Sequence, residues 1–367
     1  MSKKLTIKKT NLESQNTNMK SNLGQFYTTN YEYILRNMYI PQEIHHIIEP
    51  FAGNGDLLSF VKTPEKYKIE CYDIDPKHAY IQLRNTLLTP PCYDGAFVLT
   101  NPPYLARNKN TDKTLYDIHG YNDLYKCFLV NLVESGCIGG ILIVPLNFLS
   151  SILKADILLR KRFLETFTIL LLNIFEEPVF DDTTCTVCSF QFERRCENTI
   201  VDLTIKKTIP CHLYPSNAFM EITLNSENNY TIGGEIYLLP KQETYIIERA
   251  TKSTKEVGNI TNILLKTIDD SMENKLKLKI VSEEERFIDN TPKLSARSYA
   301  TLVITPAIDG KKQEELVKKF NDFIENHRLK YHSLFLSNYR ESNSIARKRI
   351  SFDLAFHLCG YLLVHTM

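Results

Sequence analysis

From residue 44 onward, short apolar runs alternate with polar stretches of helical length. Residues 44–48 are bounded by Pro50 and too few for a helix, so they read as a buried strand, followed by a tight turn over 50–54 and a helix starting at Gly55. KIECYDID (68–75) reads as a second strand closing on two carboxylates, and PKHAYIQLRNTLL (76–88) as a helix opened by Pro76. FVLT (97–100) is a third strand. In NDLYKCFLVNLVESG (122–136), Leu124, Cys127, Phe128, Val130 and Leu132 recur at helical spacing, with Gly136 as the stop. GGILIVPLNFL (139–149) reads as a fourth strand. FTILLLNIF (167–175) and TCTVCSFQF (184–192) follow as two more, close enough together to predict an antiparallel hairpin at that edge of the sheet.

Strands alternating with helices in this way predict an α/β fold with a doubly wound, mostly parallel sheet. Past about residue 196 the alternation fades. TIVDLTI, IGGEIYLLP and ATLVITP look like short strands, and KKQEELVKKFNDFIENH like a charged helix. The end, RISFDLAFHLCGYLL, predicts an amphipathic helix with Phe352, Ala355, Phe356, Cys359 and Leu363 along one face. The expected division is a polar, disordered tail over 1–20, an α/β domain over 21–195 and a smaller mixed α+β domain over 196–367.

Composition narrows the picture only a little. The 367 residues are enough for two cores, and a net charge of +1 means that an anionic partner must be held by local patches. No apolar run approaches the ~20 residues of a membrane span, and the lysine-rich start lacks a secretory apolar segment, so a cytoplasmic protein without membrane contact is expected. Nine cysteines, mostly inside apolar runs, fit a reducing compartment. Cys185 and Cys188 form a CxxC, followed by Cys196, Cys211 and His212; without a second CxxC, core thiols are expected there and no metal.

The chemistry concentrates at predicted strand ends. EPFAGNGDL (49–57) carries Gly53 and Gly55, which let a turn bend sharply and approach a ligand; a purely structural turn explains this GxG as well. It is neither GxGxxG nor a GK[ST] phosphate loop. Asp73 stands about twenty residues further on, the spacing at which a carboxylate reaches ribose hydroxyls. Asp75 reads equally as a helix cap before Pro76. At the end of the third strand comes TNPPY (100–104). Asn101 offers an oxygen to accept and an amide to donate, and Pro102 and Pro103 lock two φ angles. A planar amine held between the Asn101 side-chain oxygen and the Pro102 carbonyl donates both protons, and Tyr104 lies flat against the ring that bears it. The arrangement suits an exocyclic amine on an aromatic base.

EPFAGNGDL, YDIDP and TNPPY, preceded by GQFYT (24–28), resemble the γ-group of S-adenosylmethionine-dependent DNA adenine-N6 methyltransferases of restriction–modification systems. The resemblance covers about residues 21–195, with VFDDTTCTVCSF at its end, and is diffuse over 196–367 apart from RKRISFDLAFHLCGYLL. It implies a seven-stranded methyltransferase sheet followed by a target-recognition domain, with S-adenosylmethionine as cofactor. The implied partner is double-stranded DNA, bound by a monomer, with a cognate restriction endonuclease acting separately. Carried onto this chain, Phe26, Tyr27 and Thr28 border the methionine part of the cofactor. Glu49, Pro50, Ala52, Gly53 and Gly55 form the loop beneath it, and Asp73 holds the ribose. The position facing the cofactor's adenine, usually Asp, falls on Asn85, a departure that implies modestly weaker binding. Asn101, Pro102, Pro103 and Tyr104 form the catalytic corner, and Phe180 matches the aromatic that packs on the extruded base.

Arg107, Lys109 and Lys113 follow that corner, where phosphates of a displaced strand would pass. Between 328 and 349 stand Arg328, Lys330, Arg340, Arg347, Lys348 and Arg349 against the single acid Glu341, with Tyr331 and Tyr339 interleaved. This fits phosphate tracking, although a solvated face explains a charge run equally. Two other readings stay open: methyl transfer to a protein glutamine amide or RNA guanine N2, where NPPY also occurs, and a non-catalytic DNA-binding subunit of the same fold.

Overall fold

The computed structural model describes residues 28–180, 185–196, 208–254, 259–269, 275–289, 298–339 and 347–365. The chain forms two compact units, Met1–Phe148 with Leu153–Thr223, and Leu149–Ile152 with Leu224–Met367. Among the described residues no helix is long and apolar enough to cross a membrane.

The first unit is built on a nine-stranded sheet: β1 (His46–Glu49), β2 (Lys68–Asp73), β3 (Gln82–Leu83), β4 (Phe97–Thr100), β5 (Gly139–Pro145), β6 (Phe167–Phe175), β7 (Val187–Arg194), β8 (Ile209–Tyr214) and β9 (Ala218–Ile222). Their order is β3-β2-β1-β4-β5-β7-β6-β8-β9. The fold class is therefore the doubly wound, mostly parallel α/β sheet that the alternation predicts. β1, β2, β3, β4 and β5 pair in parallel, and β6 pairs in parallel with β8. β7 runs against both β5 and β6, so the expected hairpin exists but is inserted into the sheet instead of ending it. The edge belongs to the β8–β9 hairpin, which carries the sheet to Ile222, beyond the expected boundary at 195. Residues of β4 and β5 are buried throughout, as parallel strands covered on both faces require.

Helices α1 (Tyr31–Ile34), α2 (Thr114–His119), α3 (Leu124–Glu134) and α4 (Lys154–Thr166) accompany the sheet. α3 follows the predicted pattern, burying Leu124, Cys127, Phe128, Val130 and Leu132. Inside α4, Arg160 is fully buried and donates to the Phe148 carbonyl at 2.8 Å, while Asp156 holds Lys126 of α3 by both carboxylate oxygens at 2.8 Å. Two predicted helices do not form. After Gly55 the chain makes only a 3-10 turn over Asp56–Phe60, ended by the extended Val61, and Pro64 keeps Thr63 out of helical geometry. Residues 76–88 are mostly turns. The pairings Tyr72–Gln82 and Asp73–Leu83, with Arg84 N donating to the Asp73 carbonyl at 2.9 Å, convert the middle of that segment into β3. Asp75 therefore precedes no helix to cap.

The second unit holds an antiparallel sheet ordered β10 (Ile246–Arg249), β14 (Tyr299–Thr305), β11 (Ile260–Lys266) and β13 (Lys277–Ile280). A smaller sheet joins β12 (Ile268–Asp269), β16 (Arg347–Arg349) and β15 (Ser337–Tyr339). ATLVITP and the charged segment become β14 and α5 (Gly310–Tyr331), as predicted. IGGEIYLLP does not become a strand: it contains a 3-10 turn over Gly234–Leu238. The last helix, α6 (Phe352–Val364), buries Leu354, Ala355, Leu358, Cys359 and Leu362; the predicted face is rotated, with Phe352 and Phe356 stacked on each other and only half buried. TIVDLTI lies outside the described residues.

Candidate active site

The first polar residues at the carboxyl ends of β1, β2 and β4 converge on one cavity of the first unit, where an open parallel sheet places its ligands. Glu49 closes β1, Asp73 closes β2, and Asn101 follows β4 directly. All three line the cavity, together with Thr28, Ala52, Gly53, Asn85 and Pro103. Pro50 lies behind the wall, its carbonyl accepting from Thr86 Oγ1 at 2.8 Å. Phe26 and Tyr27 lie outside the described residues.

The glycine loop is held by the second strand. Gly53 N donates to Asp73 Oδ2 at 2.8 Å, and Asp75 N donates to Asp73 Oδ1 at 2.8 Å. One carboxylate therefore ties two backbone segments. Gly53 and Gly55 have φ of +54° and +78°, the left-handed region that favours glycine. A Cβ on Gly55 would also collide with the Tyr80 hydroxyl. Gly55→Ala is expected to lose about 1–2 kcal/mol of stability from the φ alone, seen as a lowered melting temperature.

The cavity is acidic. Among the described residues, Glu49, Asp56, Asp73 and Asp112 line it against one cation, Arg84. That guanidinium points elsewhere, donating to the Thr89 and Pro90 carbonyls at 2.8 Å each. Glu49 is 1% exposed and its Oε2 has no hydrogen-bond partner among the described residues. Burial, and then the neighbouring Asp56 and Asp73, hold its carboxyl well above the usual carboxylate range. A buried oxygen of this kind calls for a donor, preferably a cationic one. The site therefore disfavours phosphate ligands and fits a molecule that carries positive charge; S-adenosylmethionine, with an ammonium and a sulfonium, is such a molecule.

At the catalytic corner, Asn101 Nδ2 donates to Thr28 Oγ1 at 3.1 Å, and Asn101 Oδ1 accepts from the Tyr104 hydroxyl. That hydroxyl is also 2.8 Å from the Ile143 carbonyl oxygen. Tyr104 is buried, with its ring edge-on to Tyr125 at a centroid distance of 6.2 Å. Its polar tip is turned to the nearest acceptors, as a buried phenol requires. Phe180 is buried as well and does not line the cavity; Pro102 lies under the corner while Pro103 forms part of the wall.

Asn85 Oδ1 accepts from Leu87 N at 3.2 Å and Leu88 N at 3.3 Å, so this side chain shapes the turn that borders the cavity. Asn85→Ala is expected to weaken cofactor binding about 2–10-fold through loss of such bonds, measurable by calorimetric titration. An unchanged affinity removes Asn85 from the site.

Much of the wall went unpredicted. Asp56 and Ile74 directly follow motif residues, so adjacency was a usable signal. Phe51 packs edge-on against Phe128 of α3 at 5.1 Å and anchors the glycine loop. Leu105, Asn110, Asp112 and Leu115 come from the segment after the catalytic corner, where no pattern marked them, and Leu124 was marked only as a buried helix position. That segment also revises the basic residues: Lys113 Nζ donates to the Arg107 and Asn110 carbonyls, and Arg107 pairs with Asp117, whereas Lys109 is exposed.

The basic cluster at 328–349 is corrected further. Arg328 donates to the fully buried Asp269 from Nε at 3.1 Å and Nη2 at 2.7 Å, and Lys348 is 3% exposed with Nζ 3.4 Å from the His332 carbonyl. These two charges hold the small sheet to α5 instead of facing a partner. Arg349, half-buried, and Arg347 belong to β16; Arg340 lies outside the described residues.

Fold and cavity define a class: a doubly wound α/β protein with an acidic ligand cavity at the carboxyl ends of its parallel strands. No family model and no curated protein matches the chain. Among solved structures it is similar to the M protein of the type I restriction enzyme EcoKI, at 15% identity over 54% of this chain and 50% of that one, TM-score 0.38. It is also similar to a type I restriction–modification methyltransferase subunit from Streptococcus thermophilus, at 14% identity over 51% and 44%, TM-score 0.35. A third is DrdV, solved in complex with DNA, at 16% identity over 68% and 35%, TM-score 0.38. The chain thus spans half or less of each of these structures. The likeness is one of fold, and the functional reading is carried by this chain's own cavity.

Proposed function

We propose that this protein is a DNA methyltransferase that transfers a methyl group from S-adenosylmethionine to N6 of an adenine turned out of the duplex, in the setting of restriction–modification. One observation carries the reading: Asn101, whose carboxamide can receive a planar amine, lines the same cavity as Glu49, whose buried Oε2 calls for a cation. Bound S-adenosylmethionine supplies an electrophilic methyl group.

The chain's own residues do the rest by position and charge. Glu49 would receive the ammonium and Asp73 would accept from the ribose hydroxyls, with Gly53 lining the cavity beside them. In this reading Asn101 Oδ1, which also faces the Tyr104 hydroxyl, accepts one amine proton, and the Pro102 carbonyl, fixed by the proline ring, accepts the other. Both bonds favour a nitrogen whose lone pair leaves conjugation as it attacks, so positioning carries the transfer without a general base, and the nitrogen, cationic once methylated, then loses a proton to solvent. Turning the nucleotide out costs a few kcal/mol, and stacking on Tyr104 would return about 1–3 kcal/mol once its face is uncovered.

The test is to map N6-methyladenine in the DNA of a bacterium expressing the protein. Modification at one short sequence is expected, and it vanishes with Asn101→Ala. Transfer of labelled methyl to ribosomal RNA or to protein, with none to DNA, selects the guanine-N2 or glutamine reading instead.

A further inference from the structure

We propose that Lys113 is a positioning residue for cofactor binding: its ammonium, by donating to the Arg107 and Asn110 carbonyls, holds closed the loop whose Asn110 and Asp112 wall the cavity. The proposal rests on the reading of that cavity as the S-adenosylmethionine site and adds to it the group that keeps one wall in place.

A lysine close behind a catalytic corner would ordinarily keep its ammonium in water or offer it to a phosphate. Lys113 does neither. It is half-buried and turns back on its own chain, spending two of its three donors on carbonyls three and six residues upstream. The clasp joins the start of the 3-10 turn over Arg107–Lys109 to Asn110, the extended residue that ends it. The other ties of this loop hang on Asn110. Its Nδ2 donates to the Tyr116 hydroxyl at 3.2 Å, and its Oδ1 accepts from Asp112 N at 3.2 Å. Tyr116 is buried and donates in turn to the Leu105 carbonyl at 2.9 Å. Asp112 Oδ1 accepts from Thr114 N at 2.9 Å. Where Asn110 stands therefore fixes where Asp112 stands. Both residues line the cavity, and Asp112 adds a carboxylate to a site that favours positive charge. A loop that opens takes that charge away and lets water in, so affinity falls with the fraction of molecules in which the loop is closed.

Lys113→Met keeps the stem and removes charge and donors, whereas Lys113→Arg keeps both. In the full-length protein without DNA, Lys113→Met is expected to bind S-adenosylmethionine about 3–10-fold more weakly by calorimetric titration, and Lys113→Arg to recover most of the loss. In steady-state methylation of duplex DNA the change is expected in the cofactor KM and not in kcat. Hydrogen–deuterium exchange of the cofactor-free Lys113→Met protein is expected to quicken in the peptide spanning 106–114 and to stay native in those spanning β4 and β5. Unchanged cofactor affinity overturns the proposal; a loss of DNA affinity with a shallower salt dependence in its place makes Lys113 a phosphate contact. Native exchange over 106–114, exchange quickened throughout the fold, or no recovery with arginine overturns it as well. If the native protein binds no S-adenosylmethionine, the functional reading falls, and exchange over 106–114 still decides whether Lys113 holds the loop.

Discussion

Asn101→Ala is expected to lower methyl transfer to DNA by about 10²–10³-fold, the range for removing one fixed hydrogen-bonding group aimed at developing charge, with cofactor affinity nearly unchanged. The separation follows from geometry. The features that call for a cation and for ribose hydroxyls are Glu49 and Asp73, at the ends of β1 and β2, whereas Asn101 stands after β4. The fold should survive the substitution. Tyr104 loses one acceptor but keeps the Ile143 carbonyl at 2.8 Å, so no buried hydroxyl is orphaned. Single-turnover transfer, cofactor titration and thermal melting measure the three quantities separately. Near-native turnover would refute the role given to the amide.

Glu49→Gln separates binding from stability in opposite directions. Losing a bond to a charged group costs about 1.5–3 kcal/mol, so cofactor affinity is expected to fall about 10–100-fold. Stability responds to pH. In the cofactor-free protein the buried Glu49 carboxyl is held above its unfolded range by desolvation, with Asp56 and Asp73 adding to the shift. A raised carboxyl contributes most below its unfolded pKa, and that contribution is lost as pH rises through the folded value. Glutamine carries no such proton. The melting temperature of Glu49→Gln should therefore gain on the native protein as pH rises above the unfolded carboxylate range, and the two should converge at the acid end. Parallel pH profiles would show that Glu49 is not held protonated in the free fold.

The strands were legible because each is an apolar run closed by a polar residue. FVLT and FTILLLNIF coincide with β4 and β6 to the residue. Strand ends were also where chemistry could be read, since Glu49, Asp73 and Asn101 each mark where an apolar run gives way to polar groups. Where local preference met a competing long-range partner, the reading failed. Residues 76–88 have a helical pattern, but two of them pair with the end of β2. Lys348 looks like one of a row of solvated cations, and the carbonyl that draws it inward belongs to another segment.

Periodicity and composition report whether a residue is inside or outside, because that depends on its own side chain and a few neighbours along the chain. They were enough for the α/β order and for the polar strand ends; the likeness of GQFYT, EPFAGNGDL and TNPPY to a known set rests on the motifs themselves. Partnership is a different matter. Thr28 meets Asn101 across 73 residues, and the Tyr104 hydroxyl meets the Ile143 carbonyl across 39. The acidity of the cavity likewise comes from carboxylates on separate strands and loops, with an arginine that turns its charge away. Such pairings are set by the register of parallel strands and the course of the loops between them, so they came into view only once the chain was folded.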